Sequence, residues 1–256
     1  MFESCRAQTG TLLTRPSPAQ APCSRPIMTA RSGLLPLFLT LTAALLLSAA
    51  ASSASSVSMI ERAVEAPTSA SAPAVGPDVV YDNAGLTGII AREVFEAAYE
   101  SIVAHGLEPL SGTLAIADMS QPSTAQRLVL VNLKTHELML RTWVAHGSGS
   151  GGLMAERFSN SDGSHATSLG LYRVGSQIVS PKHGAALLLH GLDKGLNDQA
   201  RSREVIIHGA DYVSQNFISR TGRLGRSWGC PAVPRAEMTR VIAALKGDGL
   251  LYVYGS

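Results

Sequence analysis

At 256 residues and 45% hydrophobic content, the chain can bury one substantial core of catalytic size. Its formal charge is +2, and beyond Glu3, Arg6, Arg15, Arg25 and Arg31 it carries 17 basic against 18 acidic side chains, which excludes the basic footprint of a nucleic-acid binder. The balance is uneven, because residues 194–246 hold nine Lys and Arg against Asp198, Glu204, Asp211 and Glu237, and a carboxylate-bearing ligand suits that region.

Reading from the start, Arg31 precedes an apolar run over 34–47 and then the small-residue stretch Ser48-Ala49-Ala50-Ala51. That is the order of a secretory signal, so residues 1–51 read as an upstream extension plus signal, with Met28 as the expected start and the periplasm or cell wall as the expected destination. The rival reading is an uncleaved anchor, since the apolar run with its alanines approaches the ~18 residues needed to span a bilayer. Membrane contact is expected only through this segment. With it removed, Cys5 and Cys23 are lost and Cys230 is the single cysteine left in an oxidising compartment, either as a small apolar residue or for its chemistry.

Residues 52–84 are dominated by Ala, Ser, Pro and Val over most of their length and read as a linker, with ordered structure expected from about Asn83. Leu86, Ile89, Ile90, Val94, Ala97, Ala98 and Ile102 recur at helical spacing, so 85–105 is expected to form an amphipathic helix ending at Gly106. Short β-rich runs follow at 113–117, 127–133, 137–144, 168–174, 186–190 and 205–208. A hairpin turn is expected at 133–137 and a flexible loop at 147–152, where the Gly-Ser-Gly-Ser-Gly-Gly run lacks the Lys-Ser or Lys-Thr of a phosphate-binding loop. A helix over 235–246 and a strand over 250–254 close the chain. The expected fold is therefore mainly β with flanking helices, occupying 85–256.

The chemistry concentrates in two stretches, Val205-Ile206-Ile207-His208-Gly209-Ala210 and Gly225-Arg226-Ser227-Trp228-Gly229-Cys230-Pro231. A strand ending in His-Gly sets an imidazole at a sheet edge, where glycine permits close approach of another backbone segment. A Gly-Cys loop can bring a thiol there. A neighbouring histidine and positive surroundings lower a thiol pKa from about 8.5, and Arg223 and Arg226 could add to that field. The backbone N–H groups of Trp228, Gly229 and Cys230 are candidates for an oxyanion hole.

These residues resemble the L,D-transpeptidase catalytic domain, in particular the murein L,D-transpeptidase catalytic domain family. The family pattern is a histidine, a spacer, then Ser or Thr, His, Gly and Cys. Here His208 takes the first position, followed by Gly209, and Ser227, Gly229 and Cys230 take theirs, while Trp228 stands where the second histidine is expected. The stretches Val144-Ala145-His146-Gly147, Phe158-Ser159-Asn160 and Thr167-Ser168-Leu169-Gly170 are similar to the same branch, so the resemblance covers roughly 85–256. It implies a β-sandwich catalytic domain whose cysteine attacks a peptidoglycan stem tetrapeptide between an L-centre and the terminal D-residue. A thioester forms, an amine resolves it, and neither metal nor organic cofactor is needed. Cys230 is then the nucleophile and His208 the base, with Ser227, Arg226, Arg223 and Gly209 as candidates to bind substrate.

Other readings of the same residues stay open. Water in place of the amine gives an L,D-carboxypeptidase, and loss of turnover gives a wall-binding module, which the Trp228 replacement invites. His105, His136, His165 and His183 read as structural or exposed, while His146 and His190, each before a glycine at a strand end, are the other histidines best placed to line a cleft. None forms an i, i+4 pair, although distant strands could still assemble a zinc site. Arg223 and Arg226 could be solvated loop residues, and Trp228 either a cleft wall or core packing.

Overall fold

The computed structural model describes residues 76–108 and 112–256, and the expected signal and most of the expected linker lie outside them. Four helices and eight strands follow in the order α1 (Pro77–Asn83), α2 (Arg92–Ala104), β1 (Thr113–Asp118), β2 (Leu128–Asn132), β3 (Glu137–Thr142), β4 (Gly170–Ser180), β5 (Gly184–Gly191), β6 (Ile206–Ala210), α3 (Gln215–Thr221), β7 (Ala232–Pro234), α4 (Met238–Leu245) and β8 (Leu250–Tyr254). The mainly β class expected from the sequence is the class observed. The strands form one hydrogen-bonded series, β3-β2-β1-β8-β4-β5-β6-β7.

The strand β1 explains why simple alternation fails in the middle of the sheet. All six of its residues are buried, because Leu114 and Ile116 face the cluster under α1 and α2 while Ala115 and Ala117 face the cluster shared with α4. A strand covered on both faces needs no polar side. The last strand, β8, runs parallel to β1 and antiparallel to β4, so the end of the chain lies in the centre of the sheet and joins its two halves.

The single helix expected over 85–105 is instead two. Residues 77–83 form α1 with a proline in its first turn, Gly85 and Gly88 take left-handed φ values of 62° and 75°, and α2 begins only at Arg92. The helical stripe of Leu86, Ile89 and Ile90 arises because the turn itself is packed, with Leu86 and Ile90 buried beside Val80, Tyr81 and Phe95. Structure thus starts before the expected boundary, since Val80 and Tyr81 supply burial that a seven-residue helix cannot advertise as periodicity.

Toward the site, β4 and β5 extend into a long hairpin whose register breaks between Val174 and Gln177. Its turn over 181–183 projects from the sheet, and neighbouring Val179 is exposed. Beyond β5, β6 pairs with the three-residue β7 in parallel, which requires the crossover through α3 that separates them. Both β7 and α3 escape a reading by pattern. The first is too short, and the second buries no residue and is marked only by its Ser214 cap and the left-handed Gly222.

Candidate active site

Parallel pairing of β6 and β7 sets His208 opposite Ala232, so Cys230, two residues earlier, falls beside Ile206. Both functional candidates line one cleft of about 680 Å³ together with Lys182, His183, Arg203 and Trp228. A depression of about 330 Å³ near the α1–α2 turn contains no cysteine or histidine. Cleft and thiol coincide only at the first.

The surroundings of the thiol favour its protonated form. Cys230 Sγ donates to the Glu204 carbonyl at 3.9 Å, and Glu204 has a left-handed φ of 55°. Burial pushes the thiol pKa upward; the Ile206 backbone and the Arg203 guanidinium oppose that shift, and Glu204 adds to it. The sequence argument expected a depressed thiol pKa, with Arg223 and Arg226 as the cations. Desolvation wins instead, and the cation that acts is Arg203.

Arg203 is the residue that pattern reasoning left among the general basic cluster. Its guanidinium makes four hydrogen bonds, to Ser159 O, Ser168 Oγ, Ser164 Oγ and Ala166 O. It therefore fastens two stretches of the β3–β4 connection, with no carboxylate among its hydrogen-bond partners in the described residues. The only available signal was its position just before the β6 run.

His208 is also held in its neutral form. It is buried, its Nδ1 lies 3.2 Å from the Gly209 carbonyl, and its pKa is lowered to about 4, chiefly by burial, with His183, Arg235 and Lys182 adding to the shift. Among the described residues no hydrogen bond joins His208 to Cys230. Burial thus favours a neutral thiol and a neutral imidazole in one cleft.

The loop before Cys230 is braced by its own side chains. Ser227 Oγ donates to Cys230 O at 2.6 Å and accepts from Gly229 N–H at 3.2 Å, across a glycine with φ 113°. Ser227 lines the cleft, yet its hydroxyl is engaged in this loop. Of the three backbone donors expected in an oxyanion hole, Gly229 N–H is therefore already committed. The Cys230 backbone opposes the rise in the pKa of its own thiol, and Trp228 N–H has no hydrogen-bond partner among the described residues.

The glycine run at 147–152 is packed rather than loose. Gly147 N–H donates to Thr167 Oγ1, Ser148 N–H to Ser227 O, Gly149 N–H to His165 O, and Ser227 N–H returns a bond to His146 O. A side chain on Gly147 would meet His165 O and the Gly229 backbone, so glycine is required for this close approach. Behind it, buried Arg127 donates to His146 Nδ1 at 2.7 Å, leaving the proton of neutral His146 on Nε2, which faces the Gly151 and Gly152 backbone without a well-formed hydrogen bond among the described residues. Burial first, and Arg127 second, lower the His146 pKa to about 4.

The remaining candidates separate. Arg226 lines the cleft and donates to Gly151 O at 2.8 Å. Arg223 turns back to its neighbour Leu224 O and is not on the lining. Gly209 faces Arg235 and Met238, where it admits the following helices, and is likewise off the lining. Trp228 is a cleft wall and not core: it is 70% exposed, stacks on His165 at 4.6 Å, and has Lys182 Nζ 5.1 Å from its ring centre. His183 lines the cleft, in place of His146 and His190. Among the described residues no group of three or more His, Cys, Asp and Glu could hold a metal ion, and no helix is long and apolar enough to cross a membrane.

The parallel β6–β7 pair thus sets the Cys230 thiol and the His208 imidazole in one cleft that Lys182, Arg201, Arg203 and Arg226 also line. Residues 88–254 match the model of the L,D-transpeptidase catalytic domain, and the chain belongs to that family. No curated protein sequence matches it. Solved structures similar to it include an L,D-transpeptidase from Mycobacterium smegmatis, 12% identical with a TM-score of 0.36 over 56% of this chain and 59% of that one. Others are an L,D-transpeptidase from Stackebrandtia nassauensis (15%, 0.35, 69% and 76%) and the helical cell shape determining protein Pgp2 from Campylobacter jejuni (13%, 0.40, 62% and 55%). The chain spans about three fifths of the length of the Mycobacterium smegmatis structure.

Proposed function

We propose that this chain is an exported cysteine L,D-transpeptidase acting on peptidoglycan stem peptides. The observation that carries the reading is the presence of Cys230 and His208 in one cleft, within a domain of the L,D-transpeptidase family. Export rests on the apolar segment at 34–47 with its small-residue flank. The cations Lys182, Arg201, Arg203 and Arg226 against a single Glu204 suit a donor that carries free carboxylates.

In this mechanism His208 takes the thiol proton as Sγ bonds to the carbonyl carbon of the L-centre. The carbonyl electrons move to oxygen, where the Trp228 and Cys230 N–H groups stabilise the charge. Collapse of that intermediate breaks the C–N bond, and the proton on His208 goes to the departing D-amino acid, leaving a thioester. An acceptor amine then attacks the thioester, its proton passes through His208, and the thiol is restored.

The test is intact-mass analysis after incubation with a stem tetrapeptide, with and without an amine acceptor. Wild type gains the mass of the donor less its terminal residue, and Cys230→Ala, with its fold retained, loses acylation by about 10⁴-fold or more. Acylation retained in Cys230→Ala overturns the reading. Cross-linked dimers mark amine transfer, whereas tripeptide alone marks hydrolysis.

A further inference from the structure

A general base is ordinarily oriented by a third group that hydrogen-bonds its far nitrogen. His208 has only a backbone carbonyl in that role: among the described residues its ring nitrogens meet no carboxylate, and Nδ1 lies 3.2 Å from the adjacent Gly209 O. What its ring does meet is another imidazole, since His183 stacks on it with ring centres 3.7 Å apart and planes 28° from parallel. His183 comes from the projecting turn between β4 and β5, distant in sequence, and both rings line the cleft. Position 228, where the family pattern has its second histidine, holds a tryptophan that stacks on His165 instead.

We propose that His183 is a positioning residue, whose imidazole, delivered by the β4–β5 turn, holds the His208 ring by stacking in the orientation from which it serves Cys230. This rests on the proposed roles of Cys230 and His208. The stacked contact also has an electrostatic consequence, because two imidazolium rings so close repel and protonation of either opposes the other. The charged and titratable groups that face the pair are Lys182 on the same turn, Arg235 beyond β7, and Cys230 across the cleft. Asp211, the nearest acid to Arg235, is held by that guanidinium at 2.7 Å. Lys182 and Arg235 thus act with His183 to keep His208 uncharged, while stacking fixes its plane.

The experiment combines acylation rates from pH 5.5 to 7.5, read by intact mass with the tetrapeptide donor, with an NMR titration of the His208 ring. Variants are His183→Ala, His183→Phe and, as control, His208→Ala. We expect His183→Ala to slow acylation about tenfold at pH 7 with little change in KM, a modest part of the ~10²–10⁴-fold worth of a placed base. The deficit grows as pH falls, because the His208 midpoint rises. His183→Phe keeps the stack and recovers most of the rate at pH 7, but its midpoint rises as well. A slowed enzyme with an unmoved His208 midpoint, or wild-type rates in both variants while His208→Ala is inactive, overturns the role of His183 alone. Full activity in His208→Ala overturns the underlying catalytic reading instead.

Discussion

Two clusters of the same domain are held together by different forces. Under α1 and α2, Phe95, Leu86, Leu114, Ile116 and Ile102 form a core of large apolar side chains, all buried. Beside the cysteine loop the cluster is Ala145, Ala210, Val213, Leu224 and Ala232, and the segments around it are joined by bonds from Ser227, Thr167 and Arg203. The first is stabilised by area removed from water, about 25 cal/mol per Å². The second is stabilised by satisfying backbone groups one at a time, at about 1 kcal/mol each. Small side chains allow 145–149 and 227–229 to approach closely, and that geometry serves the thiol while contributing less apolar burial.

Breaking this contrast is a matter of perturbing each cluster by itself. The largest effect is expected from Phe95→Ala, which empties a fully buried site and costs about 3–5 kcal/mol in a denaturant unfolding measurement. Acylation per folded molecule is expected to remain at the wild-type value.

Acid should act on the other cluster. His146 and His208 each have a pKa of about 4 in the fold against an unfolded value near 6.5, so the unfolded chain binds the extra protons. Their stabilising contribution is present above pH ~6.5 and is lost as pH falls toward ~4, on the order of 2–3 kcal/mol for each. Hydrogen exchange across this range should accelerate in β6 and β7 before β1 and β8; equal acceleration in both would remove the distinction.

The smallest effect is expected at Ser214, whose Oγ accepts from Phe217 N–H at 3.2 Å to cap α3. Since α3 buries no residue, Ser214→Ala should cost about 1 kcal/mol, read as a small shift in Tm with no change in acylation.

The same division governs what was legible beforehand. Strands β1, β2, β3 and β8 and the helix α4 follow from apolar runs and turn residues, and His208 and Cys230 follow from a strand-ending His-Gly and a Gly-Cys loop. Arg203, His183 and the engagement of Ser227 and Gly229 had no comparable signal. Arg203 and His183 depend on partners tens of residues away, Ser159 and Ala166 for the first and His208 for the second, while the Ser227 and Gly229 bonds are local but set by a loop conformation that no pattern marks. Arg223 and Gly209 showed the converse, being near the motif in sequence yet turned away from the cleft.

By itself, then, the sequence determined the mainly β class and the family and singled out Cys230 and His208 as candidates, because periodicity, turn chemistry and local motifs are properties of neighbouring residues. Only the tertiary structure decided the protonation state of that pair and the identity of its supporting groups. Desolvation and stacking depend on what the fold brings together around Cys230 and His208, and here burial raises the thiol pKa and lowers that of the imidazole.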